Sequence, residues 1–336
     1  MDLLNAIVAL SNFVLVPAIA YGSQLALGAL GVTLIYGILR FSNFAHGDVM
    51  AFGTMWVILA VWAVQSVGLS FGVIPTALVV LPFGIVMTIL YMLAVDRLVF
   101  RFYRRQKVKP VVLVMVSIGV MFITNGLVRM IIGPGDQQFE DGGRFIFTVA
   151  EFRDWSGLEE GLALRTAQFI TIVMALVVIV ALFWFLNRTR TGKSMRAFSD
   201  NEDLALLSGI NPDRVVAVAW VLAAGLATVA GVLYGLDKGF RPFTYFQLLL
   251  PIFAAAIVGG LGNPLGAIAG GYIIALAEMT ITYAWRRVAG HALPEGWTPE
   301  GLMQILSVDY KFAVSFALLV LVLIFRPTGL FRGKAV

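Results

Sequence analysis

The sequence predicts an all-α fold, a polytopic transmembrane helical bundle of about 8–10 spans. Three observations carry that reading. First, 60% of the 336 residues are hydrophobic and only 13% are charged, with a mean hydropathy of +0.92. A soluble domain carries about 25% charged residues, so these charges cannot cover a water-borne globule and a soluble enzyme is excluded. Second, apolar runs of spanning length recur along the chain; a bilayer core about 30 Å thick needs roughly 20 such residues per helix. Third, Lys and Arg concentrate in alternate connections, as cytoplasmic loops require.

Taken in order, the first run covers 3–20. It is interrupted by Pro17 and joins 22–39 tightly at Tyr21-Gly22, so it is either a full span or a helix in the membrane interface. Its start, Met1-Asp2-Leu3-Leu4, has no basic stretch, which favours insertion through internal spans over a cleaved leader. The further runs are 49–66, 71–95, 110–132, 166–186, 214–236, 248–262, 264–283 and 309–325. Segment 97–109 has six basic residues and no acid, and is expected in the cytoplasm. Connection 133–165 has seven acids against three arginines, with glycines at Gly133, Gly135, Gly142 and Gly143, and is expected outside. It reads either as a solvated loop or as a docking surface. Segment 187–214 returns inside with Arg188, Arg190, Lys193, Arg196 and Arg214, and so does the tail with Arg326, Arg332 and Lys334. Strict alternation satisfies all four assignments and leaves the C-terminus cytoplasmic. Segment 284–308, with Arg286, Arg287, His291, Trp297 and two prolines, reads as an interfacial cap. The whole, 1–336, is one transmembrane domain.

Several chemistries are excluded. There is no cysteine, hence no disulfide, thiol nucleophile or Cys-based metal site, and only two histidines. Gly192-Lys193-Ser194 imitates the end of a phosphate-binding loop, but Asn187 stands where its first glycine belongs. The chain therefore hydrolyses no ATP itself, and no cofactor is expected on it. The net charge of +5 is explained by topology, so nucleic acid is not an expected partner; membrane lipid is.

Segment 187–214 is far longer than a turn between spans needs, and it has helical grammar. Asp200 or Asn201 can cap a helix, Leu204, Leu207 and Ile210 recur at three-residue spacing, and Gly209 and Pro212 end it. With Arg190, Lys193 and Arg196 alongside, it reads either as an ordinary surface helix or as a knob that docks a soluble partner. Here the sequence resembles a family. Asp203-Leu204-Ala205, with Gly209 four residues on, is similar to the acid-x-Ala-x-x-x-Gly core of the loop by which ABC importer permeases sit in a groove of the ATP-hydrolysing subunit. The run from Thr191 and Gly192 to Arg196 and Ala197, the blocks Asn43-Phe44-Ala45-His46-Gly47-Asp48 and Val258-Gly259-Gly260 with Gly262-Asn263-Pro264, and the closing Phe325-Arg326-Pro327-Thr328-Gly329-Leu330 resemble branched-chain amino-acid permeases of the LivH type. The resemblance covers about residues 20–330. Val215-Val216 stands where the wider importer group carries an Ile-x-Leu-Pro tail, and Asp203 takes the place of a glutamate.

What the resemblance implies is an ABC importer permease fold with discontinuous helices. It further implies a second permease subunit, two ATP-binding subunits that carry ATP and Mg, and a periplasmic solute-binding protein, in a bacterial inner membrane. The implied cargo is branched-chain amino acids, with urea, amides or other amino acids as the alternative. Coupling to the ATPase would fall to Gly192, Arg196, Asp203, Leu204, Ala205, Leu207 and Gly209. An ion-coupled secondary transporter is the reading from a different class; it calls for paired buried ionisable groups.

Two glycine-rich interruptions, 40–48 and 259–266, fall in the first and second halves of the chain, the pattern of broken helices lining a path. They nominate Asn43, His46, Asp48, Gly259, Gly260, Gly262 and Asn263. His46 is either a satisfied structural residue or a gating group. Glu278, a carboxylate well inside a predicted span, is either a polar anchor near the outer boundary or a path-lining group. Gly28, Gly31, Gly225 and Gly231 offer small faces for close helix packing.

Overall fold

The computed structural model describes residues 2–69, 74–139, 144–292, 301 and 303–331. Gly142, Gly143, Trp297 and the tail cations Arg332 and Lys334 fall outside them. We label the helices α1 (Leu3–Leu39), α2 (His46–Ser66), α3 (Thr76–Arg105), α4 (Pro110–Ile132), α5 (Val149–Ser156), α6 (Thr166–Arg188), α7 (Arg190–Asp200), α8 (Glu202–Leu207), α9 (Pro212–Lys238), α10 (Pro242–Gly259), α11 (Pro264–Thr282), α12 (Arg286–Ala292) and α13 (Val308–Phe325). Among the described residues nine of these (α1, α2, α3, α4, α6, α9, α10, α11 and α13) are long and apolar enough to cross a membrane. The protein is a multi-pass membrane protein.

Local chemistry sets where helices begin. Pro110, Pro212, Pro242 and Pro264 sit in the first turns of α4, α9, α10 and α11, where a missing N–H costs nothing. Asn211 and Asn263 cap α9 and α11 with their side-chain oxygens. Pro17 also stands at a helical start, just after a π-helical turn at Ser11–Leu15. The wider turn absorbs the proline without breaking the helix. Residues 3–20 are therefore neither a separate span nor a separate interfacial helix; they continue 22–39. At about 1.5 Å per residue this 37-residue helix is about 56 Å long and outreaches a bilayer core. Similarly, α3 runs on through a second π turn at Asp96–Phe100 into the basic segment expected as loop.

The core centres on α1, which is buried almost without interruption from Ala20 to Leu39 and packs against α9, α10 and α11. Glycines let the backbones approach. A Cβ at Gly271 would stand 2.6 Å from the Ala26 nitrogen, and one at Gly22 would stand 2.6 Å from the Tyr272 ring. The sides of α3, α4, α6 and α13 carry exposed Leu, Val, Phe and Ile, the lipid-facing pattern.

The two ends differ. At the basic end lie the end of α3, the α6–α9 connection with α7 and α8, and the α10–α11 turn. At the acidic end the 133–165 connection is tied down. Phe145–Phe147 (β1) pairs antiparallel with Leu164–Arg165 (β2), Gln137 bridges to Phe240, and Arg241 pairs with Asp136 at 2.8 Å. The projecting part of α1 joins this end, where Asn5 and Asn12 accept the Glu160 and Ala163 N–H groups at 3.2 and 3.0 Å. The buried Glu160 carboxylate pairs with Arg287 at 2.7 Å and His291 at 3.0 Å. Burial pushes this carboxyl up, but the hydrogen bonds and charges of Arg287 and His291 outweigh it and hold it below the ordinary glutamate range.

Candidate functional site

At the basic end, α7 and α8 form a protruding pair of short helices. Thr189 opens α7 by accepting the Gly192 N–H at 3.0 Å. Gly192 is required there because a Cβ would stand 2.3 Å from the Phe185 carbonyl oxygen. Met195 and Phe198 turn inward while Arg190, Lys193 and Arg196 remain exposed. Of the two capping residues expected, Asn201 does the work, accepting the Leu204 N–H at 3.0 Å. Gly209 adopts φ +79°, and Ile210 N–H reaches back to the Ala205 carbonyl at 3.1 Å, closing α8 with a left-handed glycine.

This turn sorts the residues around it. Ala205 is buried, whereas Leu204 is 63% and Leu207 87% exposed, with Asp203 exposed beside them. Ile210, expected on the same face, instead packs inward against the core, because the left-handed turn redirects the chain. With Leu206 42% exposed as well, three leucines stand in the open on a six-residue helix, a surface left uncovered by the described residues.

The protrusion is wired to the bundle by residues that the sequence did not single out. Arg40, itself in a left-handed conformation at the end of α1 (φ 56°), donates to the Ser199 carbonyl at 2.6 Å. Arg101 pairs with Asp213 at 2.7 Å. The buried Asp96 accepts from Trp220 Nε1 at 2.7 Å and pairs with Arg104. A cavity of about 520 Å³ opens beside α7, walled by Thr33, Gly37, Leu186, Arg196 and Asn263 among others.

The first glycine-rich interruption re-enters the bundle. After α1 ends, the chain turns back so that His46 packs against Gly31, where a Cβ would stand 2.5 Å from the imidazole Cε1. Gly31 lies eight residues before Leu39, about 12 Å along the helix. Asp48, fully buried, accepts from Asn125 Nδ2 at 2.6 Å, and Asn125 lies fifteen residues into α4, about 22 Å. Asn43 is buried and accepts the Ala45 N–H at 3.2 Å. The Phe44 N–H, which no helix satisfies, finds Ser117 Oγ at 3.1 Å. His46 Nε2 and Asp48 Oδ2 have no hydrogen-bond partner among the described residues.

The second interruption does something else. Gly259 ends α10, Gly260 and Gly262 take positive φ, and Asn263 caps α11 through the Leu265 and Gly266 N–H groups. The result is a reverse turn at the basic end joining two antiparallel helices. The closing residues lie on it, with Leu330 N–H on the Val258 carbonyl at 2.8 Å and Asn263 Nδ2 on the Phe331 carbonyl at 2.9 Å. Gly259 and Gly266 meet backbone to backbone. Gly259, Gly260, Gly262 and Asn263 thus sit together in the turn, apart from Asn43, His46 and Asp48.

Glu278 is only 1% exposed. Its carboxylate accepts from the Ser315 hydroxyl of α13, near the acidic end of α11.

Comparison with known proteins agrees with this architecture. The family model for the branched-chain amino acid transport system permease component matches residues 14–323. The high-affinity branched-chain amino acid permease protein LivH of Escherichia coli K12 is 31% identical over 313 residues, 93% of this chain and 92% of its own. BraD of Pseudomonas aeruginosa is 28% identical over 94% of each chain. A LivH protein of Methanocaldococcus jannaschii is 27% identical over 81% of each.

Proposed function

The chain belongs to the branched-chain amino acid transport permease family, a non-catalytic transmembrane component of ABC transporters, and from that premise we propose a specific role for it. It carries branched-chain amino acids inward across a bacterial inner membrane, with the basic end and the C-terminus in the cytoplasm. It works with a second permease subunit, two ATP-binding subunits that hold ATP and Mg, and an extracytoplasmic solute-binding protein that engages the acidic end. The 133–165 connection is the external loop of that face, where Trp155 is 84% exposed.

In this reading, 187–214 is the coupling segment. Leu204 and Leu207 enter a groove of the ATP-binding subunit, Asp203 and Arg196 give the contact its charge complementarity, and Ala205, Gly192 and Gly209 set the shape of the knob. Closure of the ATPases on ATP moves α7 and α8 as a unit. The movement reaches α1 through Arg40 and α9 through Asn211. The re-entrant residues Asn43, His46 and Asp48, on the far side of Arg40, are the part of the path that the movement resets.

The observation that supports this reading best is the exposure of Leu204 and Leu207 on a helix whose both ends are fixed by hydrogen bonds. The test is Leu207→Asp in the assembled transporter. An exposed side chain contributes nothing to the core, so the variant is expected to insert and assemble normally, yet to lose at least tenfold in substrate-stimulated ATP hydrolysis and in uptake. Gly209→Asp is expected to do the same with some loss of stability, since φ +79° disfavours a side chain. Wild-type uptake by both variants excludes this docking site.

A further inference from the structure

Near the acidic end, α1, α11 and α13 bring together more unmatched polarity than a membrane protein ordinarily tolerates. Glu278 uses Oε1 to accept from Ser315, while its Oε2 has no partner in good hydrogen-bond geometry among the described residues. Tyr21, 2% exposed, sits beside this carboxylate with its hydroxyl close enough to interact with it, though neither the hydroxyl nor Oε2 has a partner in good hydrogen-bond geometry among the described residues. One turn along the same face of α1, Gln24 donates to the Leu233 carbonyl at 3.3 Å and leaves Oε1 unmatched. Lys311, half-buried at the start of α13, lies 5.9 Å from the Tyr21 ring centre. It is close enough for its charge to act on Glu278, yet no salt bridge closes between them among the described residues. Asp237, at the end of α9, pairs one oxygen with Lys238 at 3.3 Å and leaves the other unmatched.

These groups have a common chemistry. The unmatched atoms of Glu278, Gln24 and Asp237 are all acceptors, and the phenol of Tyr21 accepts as well as donates. A buried carboxylate oxygen without a donor is costly, and native proteins leave few of them. The group that fits is a small cation with several N–H donors. Beside it stands an ammonium, Lys311, that needs an anion. A donor-rich cation and an anion a short distance apart are the two main-chain charges of a zwitterionic α-amino acid.

We propose that Glu278, Tyr21 and Lys311 form a transient binding station for the main chain of the transported amino acid, with the α-ammonium on Glu278 and Tyr21 and the α-carboxylate on Lys311. This rests on amino acids being the cargo. The station reads the shared main chain and not the side chain, so it serves Leu, Ile and Val alike and leaves discrimination to the solute-binding protein. Glu278 lies fourteen residues into α11, about 21 Å from the basic end, so the station is the first stop on the side from which cargo arrives.

The chain contains no cysteine, which allows a direct test in the complete transporter reconstituted in liposomes with its binding protein. Ser315→Cys places one thiol against Glu278. Its reaction with a membrane-impermeant thiol reagent is timed in the presence of leucine and of 4-methylpentanoate, the same molecule without its amino group. Leucine is expected to slow labelling at least fivefold and 4-methylpentanoate to leave it unchanged. Adding Glu278→Gln, which keeps the shape, is expected to remove the protection. Equal protection by both compounds overturns the ammonium assignment. Labelling that neither compound slows, in vesicles that import leucine on ATP, overturns the station while leaving the transport function standing; failure of ATP-driven leucine import by the unmodified transporter overturns that function itself. Should Ser315→Cys fail to assemble, Phe312→Cys, beside Lys311 on the half-exposed rim, carries the same comparison with all three proposed groups intact and with the same outcomes.

Discussion

The two glycine-rich interruptions look alike in the sequence and end in opposite places. After Arg40 the chain re-enters the bundle and seats His46 and Asp48 deep among α1, α4 and α10. After Gly259 it makes a turn at the basic end and goes straight back. The difference lies in the neighbours and not in the glycines. The first break is met by space on α1, where Gly31 leaves room for an imidazole, and by polar groups on α4, where Ser117 and Asn125 satisfy a stranded N–H and a carboxylate. The second is followed at once by a capping asparagine and a first-turn proline, which start a new helix with no run of chain to bury. Non-helical backbone enters a membrane only where protein covers it, and the first break finds that cover deep in the bundle, whereas the second is covered at the basic end by the closing residues.

That comparison can be attacked at both breaks. The largest effect is expected from Gly259→Ala. Its Cβ would stand 2.0 Å from the Gly266 carbonyl oxygen, and backbone cannot yield as a side chain does, so a loss of about 3 kcal/mol is expected. Thermal unfolding of the detergent-solubilised complex would read it, and an unchanged midpoint would mean that the turn is not tightly closed. Next comes Asn125→Leu, which strips Asp48 of its donor inside the bundle. Leaving that carboxylate without a donor is expected to cost about 2 kcal/mol, with uptake reduced more than assembly; Asn125→Asp should not rescue it, because two carboxylates repel. If Asn125→Leu is as stable and active as wild type, the re-entrant placement of Asp48 is wrong. Gly262→Ala sharpens the contrast within the turn. Nothing lies near its Cβ and only φ +82° opposes the change, so about 1 kcal/mol is expected, well below Gly259→Ala in the same assay.

The smallest effect belongs to the acidic end. Glu160→Gln removes the charge that holds Arg287 and His291, and since Arg287 is 49% exposed only about 0.5 kcal/mol is expected. The folded carboxyl titrates below its ordinary value, about 4.3, so its contribution is complete above that pH and is lost as the pH falls through the folded value. Wild type and variant should differ steadily from pH 7 to about pH 5 and converge in stronger acid. A difference that stays constant to pH 3 would show that the ion pairs are not its source.

Much of this was legible in the residues. The spans followed from apolar length, and the form of α8 from Asn201 and Gly209, whose local chemistry does not depend on distant contacts; α7, before Asn201, did not stand out as a helix. What the sequence hid was tertiary. Nothing in 40–48 announces that Gly31 and Asn125 await it, and a π turn that carries a helix past Pro17 has no composition of its own. Nothing in the sequence distinguishes Arg40, whose bond to the Ser199 carbonyl joins two segments far apart in the chain. Glu278 could be read only as anchor or path group, because its meaning depends on Tyr21 and Lys311 from other helices.

The central claim is that α7 and α8 form a cytoplasmic lever held by an ATP-binding subunit. Leu207→Cys, in a chain with no other thiol, tests it directly when a thiol-reactive cross-linker is added to the assembled transporter in sealed vesicles. A cross-link from this residue to the ATP-binding subunit, with a yield that changes on adding ATP, is the predicted result. Labelling of the same cysteine only from the extracytoplasmic face, with no such cross-link in any nucleotide state, would contradict it.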